Sequence, residues 1–315
     1  TGPGEGDLAP APTGAADPLA SAAPPLARRV LTRRMRHRVA AAITALDAAM
    51  AEGHKHLCLT DPDARMMGEG RSRRVQECYS FEVAVDREAG LLVAASVTQD
   101  PSDNARLEPL VELAKAHEPD GVTAADADSG YFSGGALGRL IRAGVDTCVP
   151  DCNTAGDLHR GQPAGTIRAQ GRGSVVFEYD PEADCYRCPE GNELRREQRR
   201  EAAGQTLTEY RAHRSCAGCP RAKQCLTQPG AQHRMLKVSE YEKELTAARE
   251  RFNEPEHRER YRHRGEVVET VFGFVRGTLG YVRWLLRGVE RVECEARLIK
   301  VGYQLRKVQA HWTGA

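Results

Sequence analysis

Two segments about 140 residues apart in this 315-residue chain carry residue types suited to metal-dependent phosphoryl transfer. The first reads Ala127-Asp128-Ser129-Gly130-Tyr131-Phe132-Ser133 and follows an apolar stretch. The second contains Tyr261, Arg264, Glu269, Phe272, Gly273 and Arg276. Two-metal phosphoryl transfer needs carboxylates held rigidly around each ion and cations for the phosphate. An acid at a strand end has a fixed direction, and the Gly two residues later gives the chain room to turn. The same Asp128 can also be read as a turn or cap residue. On a helix, residues seven apart share a face, which aligns Arg262, Glu269 and Arg276, with Glu266 one turn before Glu269. That face could hold a metal at Glu269 and steer phosphates with the arginines. Alone, it reads equally as a solvated helix laced with charge pairs.

These residues must be positioned by regular elements. Residues 1–25 are rich in Ala, Pro and Gly and read as a disordered leader. Residues 26–52 read as a spacer helix, with an apolar stripe of Leu26, Val30, Val39, Ile43, Leu46 and Met50 beside a run of arginines. Tyr79 to Asp86 and Leu91 to Thr98 predict a hairpin. Asp103 to Ala116 and Gly135 to Ala143 predict helices around a strand from Val122 to Ala127. A further strand spans Val145 to Val149. This order suits an α/β, ribonuclease-H-like layer fold, with its core beginning over 53–150. Residues 151–237 lose the rhythm and read as a Cys-rich insertion. Residues 238–315 read as C-terminal helices: 238–252, 256–275, and one from about Val289 to Val308.

Five of the ten cysteines fall between 185 and 225. Cys185 and Cys188 form one knuckle-like pair, Cys216 and Cys219 another, and Cys225 follows. Four thiolates from two turns suit a tetrahedral, structural Zn²⁺ that would help a polar segment fold. An iron–sulfur cluster and free thiols are the alternatives. Most of the other cysteines read as core residues.

Net charge is +1, but it is unevenly placed. Residues 191–315 carry 25 Lys+Arg against 16 Asp+Glu, and residues 1–190 carry 20 against 28. An acidic half and a basic half fit a metal-binding core joined to a phosphate-binding surface. No apolar run reaches the length of a membrane span and no signal peptide opens the chain, so a cytoplasmic location is expected.

The acid-bearing segments resemble the second and third acids of bacterial insertion-sequence DDE transposases, in the subgroup with a Cys-rich insertion. Tyr261, Arg264 and Glu269 are similar to the family's Tyr-Arg-Glu-Lys signature, with Arg276 in place of the Lys. Thr60 to Met67, Val97 to Asp100 and Leu286 to Val292 resemble further family stretches, so the likeness runs from about 26 to 309. It implies that Asp128 and Glu269 ligate Mg²⁺, two ions in the intact enzyme. It also implies that Arg264 and Arg276 hold phosphates and that Tyr261 packs near the scissile strand. DNA (transposon ends and target) would be the partner, bound by a homodimer. The family's first Asp precedes Gly-Thr, upstream of the spacer helix. Glu5, Asp7 and Asp17 have no such setting, and the sequence opens on Thr rather than Met. The expectation is therefore an N-terminally truncated, inactive chain, with Asp61 as the alternative first acid. The rivals are a non-catalytic zinc-containing DNA-binding protein and a ribonuclease-H-like nuclease without transposition.

Overall fold

The computed structural model describes residues 33–54, 56–69, 74–104, 106–118, 120–164, 175–226, 228 and 230–313. The chain divides into two units, residues 1–62 and 63–315. The first unit holds α1, Arg33–Ala51. It covers most of the expected spacer helix; residues 26–32 and the expected leader lie outside the described residues. Asp61 belongs to this first unit.

The second unit opens with an antiparallel hairpin, β1 Arg65–Glu69 and β2 Arg74–Cys78, which sequence patterning did not indicate. The expected hairpin follows as β3 Ser80–Val85 and β4 Leu92–Thr98. Gly90 turns the chain between them at φ 64°, a conformation that favours glycine. α2, Leu107–Lys115, buries Leu107, Leu110, Val111 and Ala114, the four apolar residues at helical spacing. β5 Ala124–Asp126 and β6 Asp146–Cys148 pair in parallel, joined through α3, Gly134–Arg142. A parallel pair needs such a crossover, and the helix supplies it. α4, Cys152–His159, follows, its first turn capped by Asp151 accepting from the Asn153 and Thr154 amides.

The Cys-rich stretch is more regular than its sequence suggests. It forms a five-stranded antiparallel sheet in the order β11-β10-β9-β8-β7. The strands are β7 Glu178–Asp180, β8 Cys185–Arg187, β9 Glu193–Ala202, β10 Gln205–Ala212 and β11 Met235–Ser239. A short helix α5, Ala222–Cys225, lies between the last two. β9 reads ELRREQRREA, and only Leu194 in it is buried. Such a strand shows no apolar alternation; its ladder with β10 and the tight Ala203-Gly204 turn hold it instead. β11 also takes up residues expected to start a helix, because Leu236 and Val238 alternate with exposed neighbours and are buried.

The helix after β11 is α6, Glu242–Arg251, then α7, Pro255–Gly273, and finally α8, Val289–Thr313. Pro255 sits in the first turn of α7, where its missing N–H costs nothing. One core cluster joins Leu107, Val111, Leu137, Leu140, Val145, Val149, Tyr241 and Leu245. Its packing is tight at Gly138, where a Cβ would lie 2.1 Å from the Tyr241 ring. A second cluster joins Leu92, Val271, Val275, Ile299 and Tyr303, seating α7 and α8 on the β3–β4 hairpin. α8 also saturates the β4 backbone. Glu293 accepts from the Val97 amide at 2.7 Å, Lys300 donates to the Val93 carbonyl at 2.9 Å, and Gln304 bonds both backbone groups of Leu92 at 3.1 Å. The described architecture is a mixed α/β fold, and none of its described helices is long and apolar enough to cross a membrane.

Candidate active site

Asp128 lies two residues beyond β5, in extended backbone, and caps a short 3-10 turn over Ser129–Tyr131. Its Oδ1 accepts from the Gly130 amide at 2.8 Å. A Cβ on Gly130 would stand 2.9 Å from Asp128 Oδ1 and 3.4 Å from Asp103 Oδ2, so glycine is what lets the two carboxylates approach. Burial, followed by the charges of Asp128 and Asp100, raises the Asp103 pKa from its ordinary value. Behind them Glu82 is buried on β3, with Arg106 Nε donating to both its oxygens at 3.2 Å. Burial outweighs Arg106 there and raises the Glu82 pKa. Tyr131 is held protonated by burial and by the charges of Glu82, Asp103 and Asp128.

The other acids of this sheet end are engaged. Asp126 is paired with Arg87 and with Arg260, whose Nε donates to it at 2.7 Å. Asp146 is paired with both Arg251 and Arg260. Burial opposes ionisation of Asp146, but the hydrogen bonds from Arg260 and Arg251 prevail and lower its pKa. Arg260 thereby ties α7 to the ends of β5 and β6, while Asp128 remains exposed.

Tyr261, next on α7, is half-buried with its ring edge-on to Phe252, 5.6 Å between centroids. Its pKa is raised, chiefly by burial, with Asp128 adding to it against the pull of Arg264. The Arg264 guanidinium stacks 3.7 Å above the Tyr261 ring and donates to its carbonyl at 2.6 Å. Glu269 lies farther along α7, roughly 12 Å of helix from Tyr261 at 1.5 Å per residue. It is exposed, and among the described residues it has no hydrogen-bonding or ion-pair partner. Just past it, Val271 is buried and Phe272 packs edge-on to Phe81. Glu266 differs, because it pairs with His263 at 2.9 Å. Arg276 is exposed in a π-helical turn, Phe274–Thr278, that succeeds α7. Wider turns shift its direction, so the expected seven-residue alignment with Arg262 and Glu269 does not carry through to it.

Among the described residues no group of three or more His, Cys, Asp or Glu side chains is placed to hold a metal ion. Asp128 and Glu269 offer exposed oxygen donors of the kind Mg²⁺ takes.

The cysteines are arranged differently from their sequence pairing. Cys188, Cys216, Cys219 and Cys225 line one small cavity of about 20 Å³, together with Asn192 and the buried Arg234. Cys185 lies within β8, buried, and is not part of that lining. The Cys185-to-Cys188 spacing spans a strand end, so the two do not share one turn. The Asn192 amide donates to Cys188 Sγ at 3.2 Å, and its side-chain amide to Cys216 Sγ at 3.7 Å. Burial raises the Cys225 pKa; Arg234 opposes this, and the other three cavity cysteines add to it. The sequence shows Cys225 close behind the second pair but does not mark it as one of the four expected ligands. It also did not single out Arg260 or Asp103.

Residues 187–309 match the family model described as a transposase DDE domain, which supports a DDE-type transposase. The matched segment contains Tyr261, Arg264, Glu269 and Arg276, and Asp128 lies upstream of it. No curated protein and no solved structure matches the chain.

Proposed function

We propose that this chain acts in the transposition of an insertion sequence, by metal-dependent hydrolysis of DNA phosphodiesters followed by strand transfer; whether the expected lack of a first acid leaves it inactive is decided by whether it nicks DNA. The observation that supports this reading is the double pairing of Arg260, which ties α7 of the matched segment to the ends of β5 and β6, two residues before Asp128 in the case of β5. Asp128 and Glu269 would hold Mg²⁺, which supplies Lewis-acid activation of a phosphoryl oxygen and of the attacking hydroxyl or water. Arg264, stacked on Tyr261, is pre-oriented to face a phosphate, and exposed Arg276 adds a second cation. The α/β pieces would belong to a ribonuclease-H-like layer fold. The protein would act in the cytoplasm as a homodimer on transposon ends and target DNA.

A structural Zn²⁺ in the Cys-rich sheet is the finer part of the reading. It is supported by the cavity shared by Cys188, Cys216, Cys219 and Cys225. The four sulfurs would have to draw together to coordinate it, since none of the described groups stands ready.

The second reading, a non-catalytic DNA-binding protein, is favoured by the engagement of Asp126, Asp146 and Glu82 with arginines. Incubating the protein with supercoiled DNA carrying element ends, with and without Mg²⁺, separates the two. Metal-dependent nicking supports the catalytic reading. Salt-sensitive binding without nicking supports the second.

A further inference from the structure

α8 is apolar on two opposite faces. Val292, Ala296, Ile299 and Tyr303 face inward and are buried. Leu298, Val301, Leu305, Val308 and Trp312 form the opposite stripe and are between 39% and 82% exposed. Their spacing alternates three and four residues over four turns, the repeat of a helix–helix seam. An apolar stripe on a helix ordinarily faces a core or a partner.

We propose that a second copy of this chain covers this stripe, the two α8 helices running antiparallel and centred near Tyr303. Three features of the helix select this occupant and this direction. First, the five side chains expose at most roughly 600 Å² per copy, so that two copies covering them completely would reach the lower end of stable interfaces, about 1,200 Å² in total. Second, antiparallel pairing sets Leu298 against Val308, Val301 against Leu305, and Cys294 against Trp312, so larger side chains meet smaller ones. Third, the stripe continues backwards to Arg291. A parallel pair would bring two Arg291 charges together at the seam, whereas the antiparallel pair separates them by the length of the helix. The central flanks, Gly302 and Gln304, are uncharged and set no repulsion across the interface. The surface gives the homodimer of the proposed function a specific contact, but it stands on the exposed seam and needs no DNA.

The test is the mass of the full chain in solution without DNA, by size exclusion with light scattering at tens of micromolar. Twice the 34.5 kDa of one chain is expected. The double variant Leu298→Glu/Leu305→Glu should run at the mass of one chain with unchanged circular dichroism. Leu113→Glu, on an exposed apolar position of α2, should leave the dimer intact. Wild-type protein at one-chain mass throughout, or a dimer that persists in the double variant, would overturn the proposal. Peptide mapping after mild oxidation tests direction: Cys294 should remain unlinked to its copy, and a Cys294–Cys294 disulfide would overturn the antiparallel arrangement. A chain that dimerises this way but never nicks DNA keeps this inference and loses the functional one.

Discussion

Replacing Arg260 with Met should loosen the attachment of α7 to the parallel strands. Arg260 is 14% exposed and bridges Asp126 and Asp146, so Met keeps the aliphatic bulk and removes both ion pairs. Removing one partner of a buried pair costs about 3–5 kcal/mol when the remaining charge is left alone. Here each carboxylate keeps a second arginine, Arg87 for Asp126 and Arg251 for Asp146, and Asp146 is 40% exposed. The expected loss is therefore smaller, about 2 kcal/mol after allowing for solvent screening. For a unit of this size that is a drop in melting temperature of roughly 4–8 °C. The effect should depend on pH with a definite sign. The Asp146 pKa is lowered in the folded protein, so its contribution is present above the unfolded value of 3.8 and is lost as pH falls through the folded one. Urea unfolding of wild type and Arg260→Met at pH 7 and at successively lower pH measures this. The gap in stability should be full at pH 7 and narrow below about pH 4. A gap that stays constant over that range, or is under about 0.5 kcal/mol at pH 7, refutes the assignment of Arg260 as the anchor.

Three further outcomes follow from the same structure. Gly138→Ala should destabilise the protein by about 1–3 kcal/mol in urea unfolding, because its Cβ would collide with the Tyr241 ring. Gly273→Ala should be neutral or stabilising by up to about 1 kcal/mol, since open space surrounds that position at the end of α7 and alanine favours helix. Metal analysis of protein purified with zinc should find one Zn²⁺ per chain in wild type and in Cys185→Ser, and a large loss in Cys225→Ser; an undiminished zinc content in Cys225→Ser would contradict the cavity set.

The parts legible in the sequence are those where side-chain periodicity and burial agree. The β3–β4 hairpin alternates cleanly, and α2 buries the four residues that its spacing marked. β9 was hidden because its side chains are almost all charged and exposed, so backbone pairing alone defines it. Asp128, Tyr261 and Glu269 were legible as residue types at suggestive places, but their setting was not. Arg260 and its two aspartates were overlooked because an ion pair spanning 134 residues leaves no local pattern. Arg276 was placed on the Glu269 face by counting sevens, and the π turn after Gly273 breaks that count. The cavity lining was no more legible, since Cys185 and Cys188 look like one knuckle until a strand end falls between them.

The central claim is that Glu269 and Asp128 are metal ligands, and nicking by conservative variants tests it most directly. In Mg²⁺ and with DNA carrying element ends, Glu269→Gln and Asp128→Asn should each lower the nicking rate by about 100-fold or more, since a lost metal ligand removes several kcal/mol of transition-state stabilisation. Both variants should still bind DNA. Glu266→Gln, one turn away and paired with His263, should nick at close to the wild-type rate. Wild-type nicking that survives Glu269→Gln, or falls equally in Glu266→Gln, would contradict the account.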